Sequence, residues 1–263
     1  MKYLLSRASL PLLTRLAHQR TLCAFDFDGT LAPIADHPDR AGMRKRTRDL
    51  LRRVALLYPC VIVSGRDRTS VLKKLNGVRV AGVLGNHGAE SARTPGSRKE
   101  VKPWKAALEH ELDPLPGTLP GIWIEEKESS LSIHYRLCSQ KAEAQRRILA
   151  ATAKLKNVRV FGGKDVVNVM GKLAPHKGDA LAAERDRLQC NWVLYLGDDE
   201  NDEDAFALAG NIVPVRIGRK QRTHARYYLR TQIEIDDLLE LLAELRETEG
   251  RSRPPEDASF LTV

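Results

Sequence analysis

Runs of branched and apolar residues almost unbroken by polar ones constrain this chain most: TLCAFDF (21–27), CVIVSG (60–65), VRVAGVLG (78–85), NWVLYLG (191–197) and NIVPVRIG (211–218). A strand with one face in water alternates apolar with polar residues, whereas a strand covered by helices on both faces does not. The segments between them supply helices. Residues 42–57 set leucines at helical spacing beside a basic face, and HKGDALAAERDRL (176–188) reads as another helix. Strands alternating with helices predict an α/β fold built on a doubly wound parallel sheet.

Between about Lys102 and Met170 the pattern changes. A helix at 103–112 leads into the Pro/Gly-rich link DPLPGTLPG (113–121). The strands IWIEEK (122–127) and SLSIHYR (130–136), a polar helix at 139–156 and the strands VRVF (158–161) and DVVNVM (165–170) follow. These strands alternate, so their sheet is expected to rest one face on helices and leave the other open. The pattern predicts a smaller α/β domain inserted at 97–172, dividing the larger domain into 1–96 and 173–263. The tail TEGRSRPPEDASFLTV (248–263) is expected to fray.

A length of 263 residues allows one large domain or two modest ones and rules out a disulfide-stapled miniprotein. With 42% hydrophobic and 29% charged residues, disorder throughout is excluded. The net charge of +9 favours anionic partners, whether phosphate esters, nucleic acid or acidic membranes, without choosing among them. With 5% aromatic residues and Lys and Arg scattered among acids, a nucleic-acid-binding module is the weaker reading. Cys23, Cys60, Cys138 and Cys190 form no C-x-x-C pair, which predicts buried thiols, a reducing compartment and no zinc. The opening MKYLLSRASLPLLTRLAHQR is interrupted by Arg7 and Arg15. It reads as an amphipathic helix docking its leucines, not as a membrane span, and a cytoplasmic protein is expected.

The strongest chemical signal is Asp26-Phe27-Asp28-Gly29-Thr30, directly after an apolar strand. Ligands of open α/β sheets bind outside the carboxyl ends of the strands, where these carboxylates emerge. An EF-hand loop also begins Asp-x-Asp, but Leu31 and His37 stand where it needs Gly and Glu. Asp28 and Thr30 as mere turn caps would explain either residue alone. A second acidic run, GDDENDED (197–204), follows another buried strand. Glu200, Glu203 and Asp204 suit a helix N-terminus. Asp198 instead matches the strand-end position of Asp26, and two carboxylates meeting there would repel unless a cation lay between them. Few, hard oxygen ligands suit Mg²⁺. Ser64, with Gly65 and Arg66, offers a hydroxyl, backbone N–H groups and a guanidinium to an anion. Lys177 opens a helix, where the dipole disfavours a cation, so an anion is expected nearby.

These elements in this order resemble the haloacid dehalogenase superfamily of phosphatases, over about residues 21–210. FDFDGTLAPI, IVSGRD, LGNHGAE, EEK with SLSIHYR, HKGDAL and GDDENDEDAF together are similar to the trehalose-6-phosphate phosphatases, whose cap is inserted where the second domain is predicted here. The resemblance implies a Mg²⁺-dependent hydrolysis of a small sugar phosphate by a monomer, with no nucleic-acid or membrane partner. Asp26 would be the nucleophile, forming an aspartyl-phosphate, and Asp28 the acid and then base. Asp26, Asp198 and the backbone carbonyl of Asp28 would hold the metal, and Lys177 would add positive charge. Acting as an acid near neutral pH requires Asp28 to be shifted by neighbouring negative charge or by desolvation. Ser64 would bond a phosphoryl oxygen and Thr30 orient the site. Asp199 and Asp202 would hold metal waters or Lys177.

Substrate contacts implied by the resemblance are Glu125, Lys127 and Arg136 in the cap, and Arg66, Asn86 and His87 in core loops. The period of two adds His134 on the face of Arg136, and those polar faces would line a cleft. The sequence departs from the family at three positions. Glu128 stands for glycine, Asn168 for a sugar-binding glutamate and Asn201 for threonine. Asn168 keeps hydrogen-bonding capacity without charge, which leaves a sucrose- or mannosyl-type phosphate as the alternative substrate. A receiver-type domain that only accepts phosphate on Asp26 would have no need of the insertion.

Overall fold

The computed structural model describes residues 1–35, 40–94, 101–112 and 119–250. His37, most of the 113–121 link and the tail beyond 250 lie outside the described residues. The chain divides into two compact units, one of residues 1–92, 176–198 and 202 onward, the other of 93–175 with 199–201. The inserted segment read from the sequence, 97–172, lies within the second.

The first unit is a seven-stranded sheet. In chain order its strands are β1 (Lys2–Tyr3), β2 (Thr21–Phe25), β3 (Cys60–Val63) and β4 (Gly82–Leu84). The second unit contributes β5 to β8, and the first resumes with β9 (Trp192–Gly197), β10 (Ile212–Ile217) and β11 (Tyr227–Leu229). The order across the first sheet is β1-β11-β10-β9-β2-β3-β4, and every pairing is parallel. Every residue of β2 and β3 is buried, as their unbroken apolar runs require. The run at 78–85 yields only the short strand β4. Cys23 and Cys60 face each other across β2 and β3, and all four cysteines are buried free thiols.

Helix α1 (Leu10–His18) starts with Pro11 in its first turn and buries Leu13, Leu16 and Ala17 against the sheet. Among the described residues no helix is long and apolar enough to cross a membrane. Helix α2 (Lys45–Leu57) buries Thr47, Leu50, Leu51 and Val54. Its basic residues meet acids of the last helix, α8 (Ile235–Gly250): Arg46 bonds Glu240 at 2.9 Å, Arg53 pairs with Glu247, and the Thr47 hydroxyl donates to Asp236 at 2.6 Å. Half-exposed ion pairs contribute about 0–1 kcal/mol each. Burying Leu238, Leu239 and Leu242 contributes roughly 1.5–3 kcal/mol apiece, so the leucines hold α8 and the charges set its register. Helix α3 (Arg68–Leu75) follows β3, its Asp67 N-cap accepting the Ser70 N–H at 2.7 Å.

The second unit is a four-stranded antiparallel sheet, ordered β5 (Trp123–Glu126), β6 (Ser130–His134), β8 (Val166–Gly171), β7 (Val158–Gly163). Helices α4 (Val101–Leu112) and α5 (Lys141–Thr152) cover one face, where Leu108, Ala144 and Ile148 pack on Leu131, Ile133, Val167 and Val169. The opposite face carries Trp123, Glu125, Ser132, His134 and Asn168 by register. That face is only partly open: Ser130, Ser132 and Asn168 are buried, whereas Trp123 is 37% exposed. The Ser132 hydroxyl donates to Asn168 Oδ1 at 2.7 Å, which satisfies both groups out of water.

Candidate active site

Strands β2 and β9 are neighbours in register, Phe25 opposite Leu196, so the residues that follow them leave the sheet side by side. Asp26 ties this junction by donating its N–H to the Leu196 carbonyl at 2.8 Å. Asp198 emerges next to it. Gly29 turns the chain between them with φ +80°, and a Cβ there would lie 2.1 Å from Asp198 Oδ2. Only glycine fits both the backbone angle and the carboxylate.

Lys177 is the first residue of α6 (Lys177–Arg187), whose His176 and Asp179 form a reciprocal capping box. Its side chain is 1% exposed, and its ammonium donates to Asp26 Oδ1 at 2.8 Å and to Asp202 Oδ1 at 2.6 Å. Asp202 immediately precedes the short helix α7 (Glu203–Phe206). Its Oδ1 also accepts the Tyr195 hydroxyl at 2.7 Å, and its Oδ2 accepts the Asp198 N–H at 2.9 Å. The buried guanidinium of Arg216 donates to the Asp198 carbonyl at 2.5 Å and to Glu203 at 3.2 Å, fixing the acidic loop from below. Tyr195 and Arg216 are two supports that sequence reasoning missed. Each sits inside an apolar strand run, where nothing marks a polar side chain as functional.

Asp26, Asp198 and Asp202 each bring a carboxylate oxygen to within 4.8 Å of the others. One ammonium against three carboxylates leaves an excess of negative charge in a buried place. Burial pushes the Asp26 carboxyl well above its ordinary value, Lys177 opposes this, and Asp202 and Asp198 add to the rise. Burial alone would lower the Lys177 ammonium, but Asp202 and Asp26 outweigh it and raise it. An all-oxygen set with surplus negative charge, beside a glycine that leaves no Cβ in the way, fits a hard divalent cation.

The remaining core residues divide. Asp28 accepts both arms of Arg66, Nε at 2.6 Å and Nη2 at 2.7 Å. Its carboxylate is 38% exposed. Ser64 is buried at the end of β3, with its Oγ accepting the Arg66 N–H at 3.2 Å. Thr30 is fully buried and its Oγ1 has no protein hydrogen-bond partner. Asn86 and His87 both have positive φ and are buried. The Asn86 amide donates to Glu90, and the His87 N–H donates to the Ser64 carbonyl at 2.9 Å, so this loop braces the end of β3. Glu90, which also accepts the Arg68 N–H at 3.0 Å, is a third residue that the sequence did not flag.

In the second unit, Glu125 Oε2 bonds His134 Nε2 at 2.9 Å and lies 3.6 Å from Lys127 Nζ. Burial lowers the His134 imidazolium despite the Glu125 carboxylate. Strand β6 ends at His134, and beyond it the Arg136 guanidinium donates to the Lys164 carbonyl at 3.1 Å; the charges of Lys127 and Arg136 add to the lowering of the His134 imidazolium. Asn168 is held by Ser132. Asp199 accepts the N–H groups of Lys164 and Glu200, and Asp202 accepts from Lys177.

Comparison with known proteins agrees with this arrangement. The trehalose-phosphatase family model matches residues 24–231. The chain is 29% identical to the trehalose 6-phosphate phosphatase RA3 of Zea mays, covering 89% of this chain and 72% of that one. It is 32% identical to the probable trehalose-phosphate phosphatase D of Arabidopsis thaliana, covering 87% and 68%. Among solved structures, the trehalose-6-phosphate phosphatase C-terminal domain of C. albicans superposes with a TM-score of 0.75 at 23% identity, covering 89% of this chain and 96% of that one. The Aspergillus fumigatus trehalose-6-phosphate phosphatase superposes with a TM-score of 0.61 at 25% identity, covering 93% of this chain and 99% of that one. The chain belongs to the trehalose-phosphatase family of the haloacid dehalogenase superfamily, with its parallel phosphatase core and smaller antiparallel cap sheet.

Proposed function

We propose that this protein hydrolyses trehalose-6-phosphate to trehalose and phosphate, dependent on Mg²⁺ and through an aspartyl-phosphate on Asp26. The observation that carries the reading is the buried Lys177 held between Asp26 and Asp202, with Asp198 beside them. A carboxylate approaching a phosphate dianion to about 4 Å meets roughly 4 kcal/mol of repulsion per pair of unit charges at an effective dielectric near 20, about 8 in all. Such a barrier would slow the reaction by more than five orders of magnitude at about 1.4 kcal/mol per tenfold. Lys177 supplies one compensating charge at the attacking atom. Mg²⁺ held by Asp26, Asp198 and the Asp28 backbone carbonyl would supply two more and polarise the phosphoryl group.

In this scheme an oxygen of Asp26 forms a bond to phosphorus while the bond from phosphorus to the sugar oxygen breaks. The departing oxygen keeps the electron pair and takes a proton from Asp28. Asp28 then accepts a proton from water as that water attacks phosphorus and releases Asp26. Each oxygen of Asp28 accepts one N–H of Arg66 and keeps a second lone pair for either transfer. The hydroxyls of Ser64 and Thr30 would bind phosphoryl oxygens, and the orphaned Oγ1 of Thr30 supports that role. Glu125, Lys127 and His134 would read sugar hydroxyls. A second reading, another phosphorylated sugar, rests on Asn168, which is uncharged and already bonded to Ser132.

Phosphate release from trehalose-6-phosphate, glucose-6-phosphate and sucrose-6-phosphate, with Mg²⁺ and with a chelator, tests the proposal. Preference for none of them removes the substrate, and turnover insensitive to the chelator removes the metal. Mg²⁺-dependent turnover in Asp26→Asn removes the nucleophile.

A further inference from the structure

Asp28 sits on the turn that follows β2, where the Gly29 N–H donates to the Ala32 carbonyl at 2.7 Å and the Ala32 N–H to the Phe27 carbonyl at 2.8 Å. Those bonds fix its backbone but not its half-exposed carboxylate, which could still turn about χ1 and χ2. Arg66 removes that freedom. Its Nε and Nη2 each meet one carboxylate oxygen, at 2.6 and 2.7 Å, and among the described residues no other side chain bonds the Asp28 carboxylate. Arg66 is itself held along its backbone. Its N–H donates to Ser64 Oγ at 3.2 Å, its carbonyl accepts the Asn86 N–H at 2.7 Å, and Asp67, the next residue, caps α3. The His87 ring packs on the adjoining Gly65, where a Cβ would lie 2.6 Å from His87 Cε1. A guanidinium only 13% exposed, on a pinned backbone, is a fixed reference for a mobile carboxylate.

A planar fork sets both the direction and the plane of a carboxylate, which a single point charge does not. A general acid contributes about 10²–10⁴-fold only when it lies within hydrogen-bond reach of the departing oxygen. We infer that Arg66 is the positioning residue for Asp28, aiming its carboxyl at the leaving oxygen, in place of the substrate contact that the family resemblance implies for it. With Nε and Nη2 committed to Asp28, no second two-pronged face remains for an anion. The proton passes from an Asp28 oxygen to the departing oxygen as that oxygen takes the electron pair of its bond to phosphorus. The inference rests on the aspartyl-phosphate reading above and involves only residues of the parallel-sheet unit.

The test uses the Mg²⁺-loaded enzyme and two esters that differ in their need for an acid. Trehalose-6-phosphate releases an alkoxide, which leaves only with a proton, whereas p-nitrophenyl phosphate releases a phenolate that is stable as the anion at neutral pH. Because kcat/KM reports the steps up to cleavage of that bond, the ratio of the two values, alkyl over aryl, isolates the acid. Arg66→Met is expected to lower the ratio about tenfold or more. Arg66→Lys, which restores the charge without the fork, is expected to recover little of it. Asp28→Asn is expected to lower the ratio as well, and adding Arg66→Met to it to lower the ratio no further. An equal fall on both esters in Arg66→Met overturns the inference, because Arg66 would then bind the phosphate or support the fold. A wild-type ratio in Arg66→Lys overturns the fork, and a further fall in the double variant overturns the route through Asp28. If the wild-type enzyme hydrolyses glycerol phosphate but no sugar phosphate, the sugar reading is overturned and glycerol phosphate serves as the alkyl ester of the same ratio. A wild-type enzyme that hydrolyses none of these esters overturns the phosphatase reading, and the positioning role with it.

Discussion

Replacing Lys177 with methionine keeps the length of the side chain and removes its charge. The ammonium lies 2.8 Å from Asp26 and 2.6 Å from Asp202, and its side chain is 1% exposed. At an effective dielectric of about 20, each contact has a gross Coulomb energy of roughly 6 kcal/mol. Most of that offsets the desolvation of the ions, and removing one partner of a buried pair costs about 3–5 kcal/mol net. Domains of this size lose about 2–4 °C of Tm per kcal/mol, so Lys177→Met should melt about 6–20 °C lower than the wild type. Loss of a preorganised charge at the reacting centre should also cut kcat by a factor of about 10²–10³ or more. The origin of the destabilisation can be isolated in a double variant. Lys177→Met with Asp202→Asn removes one stranded carboxylate charge and should regain about half of the lost stability, with no recovery of kcat. Urea unfolding and phosphate release measure both quantities. A single variant less than about 1 kcal/mol below the wild type, or a double variant no more stable than the single, would refute the charge accounting at this site.

Three further outcomes follow from the same geometry. Gly29→Ala places a Cβ 2.1 Å from Asp198 Oδ2 at φ +80°, and should cost about 1–3 kcal/mol together with Mg²⁺-dependent turnover. Thermal melting and a metal titration check this. The Asp26 carboxyl is raised by burial, so its contribution to stability is present below the unfolded value of about 3.9 and is lost as pH climbs through the folded value. In chelator, Tm should therefore fall as pH rises out of the acid range, and Asp26→Asn should flatten that fall; an equal slope in both proteins would contradict the assignment. Tyr195→Phe removes one donor to Asp202 while Lys177 still holds it, and should cost about 1 kcal/mol with a severalfold lower kcat and an unchanged KM.

Much of this architecture was legible in the sequence because burial on both faces leaves an unmistakable pattern. The runs at 21–27, 60–65, 191–197 and 211–218 each contain a strand, and the alternating runs of the middle segment form the antiparallel sheet. Elements too short for periodicity were not legible. Strand β1 has two residues and β11 three; β11 pairs along the edge of β10, and β1 exists because β11 supplies it with an edge in turn. Helix α8 carries a clear leucine pattern in IDDLLELLAELRETEG that went unread, and the basic side of α2 made sense only once the acids of α8 were opposite it. The acidic motifs were visible as strand-end carboxylates, but which strands adjoin is a property of topology. Likewise, the Arg66 fork on Asp28 spans 38 positions and has no local signature. Strand alternation placed Arg136 on the face of His134, but β6 itself ends at His134, so the bond from Arg136 to the Lys164 carbonyl has no periodic signature.

The interleaving of the parallel sheet imposes an order on synthesis. The antiparallel unit is nearly contiguous, and its strands can pair as soon as residues 123–171 have been made. Strand β2 cannot complete its environment then, because its neighbour β9 is translated only after that whole unit. Until residues 192–197 leave the ribosome, the TLCAF segment has a bare hydrogen-bonding edge and uncovered apolar side chains, the features that invite wrong partners. Nascent chains stalled before that point are the species in which aggregation of this protein should begin, long before Asp26 has met Asp198.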